Sequence, residues 1–357
     1  MFINRQIEFP QRMTKFLQHR LEELESQYGE NSPEYRALAL QYVYDVREDN
    51  PTIEHNAKHY EAGVQVNGGK NVERLYEHIC CIEMSFNCLS NCRYCLRSNY
   101  ERFTLTEEQM DANVAYMRDI HAEEVLLTGG DPLLNLRRLR IFTDKIAEGV
   151  PTMRIIRIAT RVFTQNPMSV SEEVITFLSK LKEHVRVEVA TQINSAVELQ
   201  CPEVRQAFEK ILALDIPIYS QNVFLKGVND TPEQLIKLYH EMRLIGIEPH
   251  YLFHCIPMRG IHHLRPSVDR MIMCYEALVN AGHITGRSKP ILAIMSQIGK
   301  ITLTPHNYHK LDNGYVQLRS CYKYADRIAY NPNWKIPEDA FVDEEGYLWI
   351  DYLDGEN

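Results

Sequence analysis

The sequence predicts an α/β protein: a partial (β/α)6 TIM-like barrel with an N-terminal helical cap and a C-terminal β-rich extension. Three observations carry this expectation. Short apolar or β-branched runs recur about every 30 to 40 residues through the middle of the chain. Helical patterns with recognisable start signals lie between them, and both ends of the chain follow other patterns.

At the N-terminus, apolar residues at helical spacing run from Arg5 to about Tyr28 and from Ser32 to about Val46, including Phe16, Leu17, Leu21, Leu24, Leu38, Leu40 and Tyr44. They predict a helical cap. Residues 49–74, with Pro51, Gly63, Gly68 and Gly69 and few apolar neighbours, read as a connection over the surface. Six strand-like runs follow, at 79–86, 124–128, 154–160, 186–193, 216–224 and 249–256. Between them, Thr106, Ser171, Pro202 and Thr231 open helical patterns at 107–119, 172–184, 203–214 and 232–245. Thr106 with Gln109 also fits a capping box. Alternating strands and helices imply parallel pairing with right-handed crossovers, and runs such as VLLT are too apolar for a sheet with one wet face. A seventh run at 290–296 and hairpin-like segments at 313–329 and 340–352, with turn chemistry at Asn313-Gly314 and Glu345-Gly346, are assigned to the C-terminal extension. The expected division is 1–75, 76–300 and 301–357.

Lysine and arginine number 39 against 48 acids, a net charge of −9, which argues against nucleic-acid binding. The first twenty residues are too charged for a signal peptide, and no apolar run approaches the roughly 18 residues of a membrane span. A cytoplasmic location is expected. The nine cysteines therefore point to metal or redox chemistry rather than disulfides.

At the end of the first barrel strand the chain reads Cys88-Leu-Ser-Asn-Cys92-Arg-Tyr-Cys95. Three thiolates can ligate three irons of a [4Fe–4S] cubane and leave the fourth iron open to a chelating amino and carboxylate group. A structural zinc knuckle is the alternative, but zinc wants four ligands, and only Cys80, Cys81 or a histidine is at hand.

This spacing resembles the radical S-adenosylmethionine (SAM) superfamily, with its C-x-x-x-C-x-x-C motif after the first strand of a partial barrel. By that resemblance Gly129, Gly130 and Asp131, in LLTGGDPL, contact SAM. Over roughly residues 75–305 the resemblance narrows to the lysine 2,3-aminomutase family, carried by CRYCLR (92–97), LLTGGDPL (126–133), RIATR (157–161), QNVFLKGVND (221–230), HYLFHC (250–255) and HHLR (262–265). The family implies pyridoxal phosphate (PLP) as carrier of the migrating amino group, with Lys300 as its lysine. Arg161, Gln221, Tyr76 and His263 fall at cofactor-side positions, and Arg97 at the position that pairs with the substrate carboxylate.

Two departures from the family pattern matter. Leu75 and Ile79 stand where family arginines flank the tyrosine, which thins the phosphate site. The aspartates that grip the distal ammonium of lysine are replaced by Ile256 and by Ile294 or Met295, so a neutral or apolar side chain is expected, although Arg259 or His254 could receive an acidic one. The leading expectation is a PLP-dependent 2,3-aminomutase for an amino acid other than lysine. The alternatives are a radical SAM desaturase, epimerase or dehydratase, with or without PLP, and an electron-transfer module without SAM chemistry. The expected partners are a small amino acid substrate and a reductant such as flavodoxin or ferredoxin. A homodimer stays open, though not through the C-terminal zinc cluster that lysine-specific members carry.

Overall fold

The computed structural model describes residues 8–50, 72–96, 103–330, 332 and 334–356. Among them, nine strands form one sheet in simple chain order: β1 Val72–Tyr76, β2 Ile79–Glu83, β3 Glu124–Thr128, β4 Ile155–Ala159, β5 Arg186–Thr191, β6 Ile218–Phe224, β7 Glu248–His254, β8 Ile291–Ser296 and β9 Gly299–Thr302. From β2 to β8 every neighbour is parallel, while β1 and β9 pair antiparallel at the two edges. The order has two ends, so the sheet is an open barrel.

The crossovers are amphipathic helices. The helix Pro202–Leu212 buries Val204, Ala207, Phe208 and Ile211, one face at helical spacing, and Phe208 stacks on Phe163 at a centroid distance of 4.3 Å. Thr106 and Gln109 form the expected capping box ahead of Glu107–Asp119. Two further helices, Leu136–Gly149 and Val268–Asn280, cover the sheet between β3 and β4 and between β7 and β8. The N-terminal cap is smaller than its pattern predicts: Lys15–Tyr28 and Pro33–Tyr42 are α-helical, and Val46–Asp49 is a 3-10 turn capped by Asp45.

Several expectations need correction. The run at 290–296, grouped with the C-terminal hairpins although the expected boundary at 300 leaves it in the barrel, pairs in parallel with β7 as a seventh parallel strand. Within the segment assigned to a surface connection, Val72–Tyr76 is a strand; residues 51–71 lie outside the described residues. The segment 313–329 is only partly a hairpin, since Tyr324–Tyr330 is helical. It belongs to a separate sheet of β10 Tyr308–Lys310, β11 Tyr315–Lys323, β13 Tyr347–Leu353 and β12 Ala340–Val342. The parallel strands also alternate: Val125 and Leu127 are buried under helices, while Glu124, Leu126 and Thr128 face the lumen half-exposed. The sheet therefore has one dry face and one wetter concave face.

Candidate active site

The cysteine loop leaves β2 and is shaped from both sides. Phe86 N donates to Phe103 O at 2.9 Å, and Cys95 N donates to Cys92 O at 3.0 Å to close a turn. From outside, the N-terminal segment grips it: Asn91 N donates to Arg12 O at 2.9 Å and Arg93 N to Gln41 O at 2.8 Å. Arg93 is fully buried and forms a two-pronged pair with the equally buried Glu48, at 2.8 and 2.5 Å. Such a pair is costly to break, because either partner alone is an uncompensated charge in a low-dielectric interior.

Shaped in this way, Cys88, Cys92 and Cys95 line one cavity of about 300 Å³, with Gly129, Gly130, Asp131, Arg161, Thr191, Gln221 and Ile256 on its other walls. All nine cysteines of the chain are thiols rather than disulfides. Among the described residues no three His, Cys, Asp or Glu side chains converge on a single metal ion. A cubane differs from a zinc site in that each thiolate meets its own iron, so its ligands need not converge on one ion.

The Gly129-Gly130 step is a clasp on this loop. Gly130 N donates to Ser85 O at 2.5 Å and Asp131 N to Asn87 O at 2.7 Å. Gly129 has φ +117°, and a Cβ on Gly130 would stand 1.9 Å from Asn87 O. Only glycine lets the two backbones approach so closely. The Asp131 carboxylate accepts from Thr160 Oγ1 at 2.9 Å, Arg161 N at 2.8 Å and Leu133 N at 3.1 Å. Burial nonetheless pushes its pKa up to about 6.

Arg161 departs most clearly from its expected role on a PLP phosphate. Its Nε donates to Gln192 O at 3.1 Å, Nη1 to Cys92 Sγ at 2.9 Å and to Tyr94 Oη at 2.5 Å, and Nη2 to Glu198 Oε1 at 2.7 Å and Gln41 Oε1 at 3.2 Å. A guanidinium has five N–H donors, and all five are engaged, which leaves none for a phosphate. Arg161 thus holds the cysteine loop.

On the far side, Gln221 lines the cavity and approaches His250 Nδ1 at 3.5 Å. Burial, with help from Arg157 and Lys300, pushes His250 down to about 4. Lys300 is paired across the β8–β9 hairpin with Met295, a cavity residue, and so shares its concave face. Its Nζ donates to Tyr251 Oη at 2.8 Å and lies 4.2 Å from the Tyr251 ring centroid and 5.4 Å from that of Tyr76. Burial works against the ammonium, but hydrogen bonds to Tyr251 and Tyr76 outweigh it, and the pKa is raised overall. Tyr76 and Lys300 are thus brought together.

Two other expectations fall elsewhere. His263 lines a separate cavity of about 200 Å³ with Arg47, Lys226, His262 and Glu356. Arg259 lies 3.5 Å from Glu8 and is not among the residues lining the cavity, whereas His254 does line it but is fully buried, held by Tyr352 Oη and Pro266 O, and burial pushes its pKa down to about 3. Arg97 lies outside the described residues. The choice between Ile294 and Met295 is resolved: Met295 lines the cavity, whereas Ile294 is fully buried on the opposite face.

Sequence reasoning missed Tyr94, Glu198, Gln41 and Tyr251. One signal was available, since Ser195-Ala-Val-Glu198 has capping-box spacing and forms that box.

With this geometry in hand, the comparisons with known proteins can be placed. Residues 79–196 match the family model of a 4Fe-4S single cluster domain. A putative L-lysine 2,3-aminomutase of Aquifex aeolicus (strain VF5) is 32% identical over 235 residues, 64% of this chain and 61% of that protein. L-lysine 2,3-aminomutase of Bacillus subtilis (strain 168) is 29% identical over 61% of this chain and 46% of its own length. Glutamate 2,3-aminomutase of Clostridioides difficile (strain 630) is 26% identical over 70% and 59%. The aligned segments thus span about half to three fifths of these relatives. Among solved structures, a radical SAM methyltransferase from Sphaerobacter thermophilus aligns at a TM-score of 0.45 with 17% identity over 60% of this chain and 66% of its own, a likeness too slight to add to the argument. The chain thus carries a segment similar to a 4Fe-4S single cluster domain and, over about three fifths to seven tenths of its length, is similar to lysine and glutamate 2,3-aminomutases.

Proposed function

We propose that the chain is a radical SAM 2,3-aminomutase acting on an amino acid with a neutral or apolar side chain. The supporting observation is the cavity itself, which joins Cys88, Cys92 and Cys95 and the Gly129–Asp131 clasp to a wall of Val223, Phe253, Ile256 and Met295. Cys88, Cys92 and Cys95 would hold the cluster, and Gly129, Gly130 and Asp131 would border SAM. When bound, the cluster supplies an electron for reductive cleavage of SAM, SAM supplies a carbon radical able to abstract hydrogen, and PLP supplies a carrier for the amino group.

The chain's own contribution is to position and to exclude. Lys300, held by Tyr251 and facing Tyr76, would hold PLP, the two phenols fixing the position of its nitrogen. The apolar wall keeps water from a reactive carbon radical. Against that wall a lysine ammonium would lie without a carboxylate, at a cost on the order of several kcal/mol.

A PLP-independent radical reaction is the second reading, favoured by the full engagement of Arg161. Anaerobic purification, addition of PLP, borohydride reduction and peptide mapping separate the two. A pyridoxyl adduct on Lys300 supports the aminomutase; an intact cluster with no adduct supports the alternative.

A further inference from the structure

Cys92 differs from an ordinary cluster ligand in what surrounds its sulfur. The Arg161 guanidinium donates to Cys92 Sγ at 2.9 Å, and Gln165 Nε2 donates to the same sulfur at 3.4 Å. Neither donor is free to leave. Gln165 is 2% exposed, and its backbone carbonyl accepts from Thr14 Oγ1. The Arg161 side chain is 11% exposed and is clamped on its other nitrogen by Glu198, itself 1% exposed. Glu198 is in turn fixed by Asn194 N at 2.8 Å, Ser195 N at 3.0 Å and Gln41 Nε2 at 3.2 Å. The result is a rigid chain of carboxylate, guanidinium and sulfur.

Cluster potentials respond to net charge, burial and hydrogen bonds to sulfur. A donor on a ligand sulfur draws electron density from the cluster and stabilises the reduced form. In this buried setting, water screens the guanidinium weakly.

We infer that Arg161 and Gln165 raise the reduction potential of the cluster through Cys92 Sγ, and that Glu198 is the positioning residue that holds Arg161 there and moderates its charge. The inference rests on the cluster assignment above. The step it governs is a one-electron one: the oxidised cluster, [4Fe–4S]2+, takes an electron from a low-potential one-electron donor and becomes [4Fe–4S]+, with no bond made or broken.

The carboxylate and the guanidinium then act with opposite sign. Removing the guanidinium lowers the potential. Neutralising Glu198 while keeping its shape leaves the positive charge on the sulfur less compensated and raises it. A scaffold role alone predicts no such opposition.

The test is an anaerobic redox titration with dithionite and mediators, followed by the electron paramagnetic resonance signal of the reduced cluster, without SAM or substrate. Arg161→Gln should make reduction at least tenfold less favourable, about 59 mV for one electron. Gln165→Leu should shift the potential the same way by less, Arg161→Lys should recover part of the loss, and Glu198→Gln should shift it upward. Unchanged potentials in both Arg161→Gln and Gln165→Leu, or shifts of Arg161→Gln and Glu198→Gln in one direction, would overturn the inference. Gln165→Leu keeps the test decisive if the Arg161 variants fail to fold, because it leaves the buried ion pair intact. Iron and sulfide analysis of the unaltered chain isolates the underlying reading: a chain that assembles no cluster refutes the cluster assignment itself.

Discussion

Around Cys92 the polar atoms of Arg161, Asp131 and Tyr94 are satisfied within the protein, whereas the opposite wall of the same cavity, formed by Val223, Phe253, Ile256 and Met295, presents mostly carbon. The first side is a network in which moving one group orphans several others. The second is a packing surface on which one side chain can change without unpairing a neighbour. The cysteine side is therefore sensitive to single changes, and the apolar wall is tolerant of them.

The comparison breaks most completely if the cysteine side tolerates change. Cys92→Ala should abolish cluster assembly, read as iron and sulfide per chain falling to background while the far-ultraviolet dichroism is retained. Next in size, Glu48→Ala should destabilise the protein by about 3–5 kcal/mol, because it leaves Arg93 charged and buried; the urea midpoint checks this. A loss under 1 kcal/mol would mean that water reaches Arg93.

On the apolar side, change should retune rather than destroy. Ile256→Asp combined with Met295→Asp should strengthen lysine binding at least tenfold, about 1.4 kcal/mol, in equilibrium dialysis against the cluster-loaded protein. No gain would remove this wall from the specificity argument.

The smallest effect sharpens the contrast through pH. His250 is lowered from 6.5 to about 4 in the folded protein, so the unfolded chain binds the extra proton between those values. Its contribution to stability is present above about pH 6.5 and is lost as pH falls through about 4. His250→Gln should therefore reduce the slope of stability against pH in that window by at most about 1.4 kcal/mol per unit. Urea melts at pH 5 and pH 7 measure it.

What the sequence disclosed follows the range of the interactions involved. Cys88, Cys92 and Cys95 lie within one short loop, and the helix Glu107–Asp119 begins at its own local cap, so both could be read directly. The partners of Arg161 were not legible because Glu198, Tyr94 and Gln41 lie 37, 67 and 120 residues away, and no spacing rule reaches them. The edge strand Val72–Tyr76 was missed because Glu77-His78 carries none of the usual hairpin-turn residues. β8 was not counted among the six barrel strands because its strand pattern is the same whether it extends the first sheet or begins another, and only its pairing with β7 decides.

The grip of the N-terminal segment on the cysteine loop also bears on how the protein matures. Arg12, Gln41 and Glu48 hold the loop from one end of the chain, while Arg161, Asn194 and Glu198 hold it from well beyond the loop. During synthesis the three thiols are made early, but the groups that set their spacing are complete only once the chain has passed residue 198. A nascent chain stalled before that point would expose the thiols without the scaffold that arranges them.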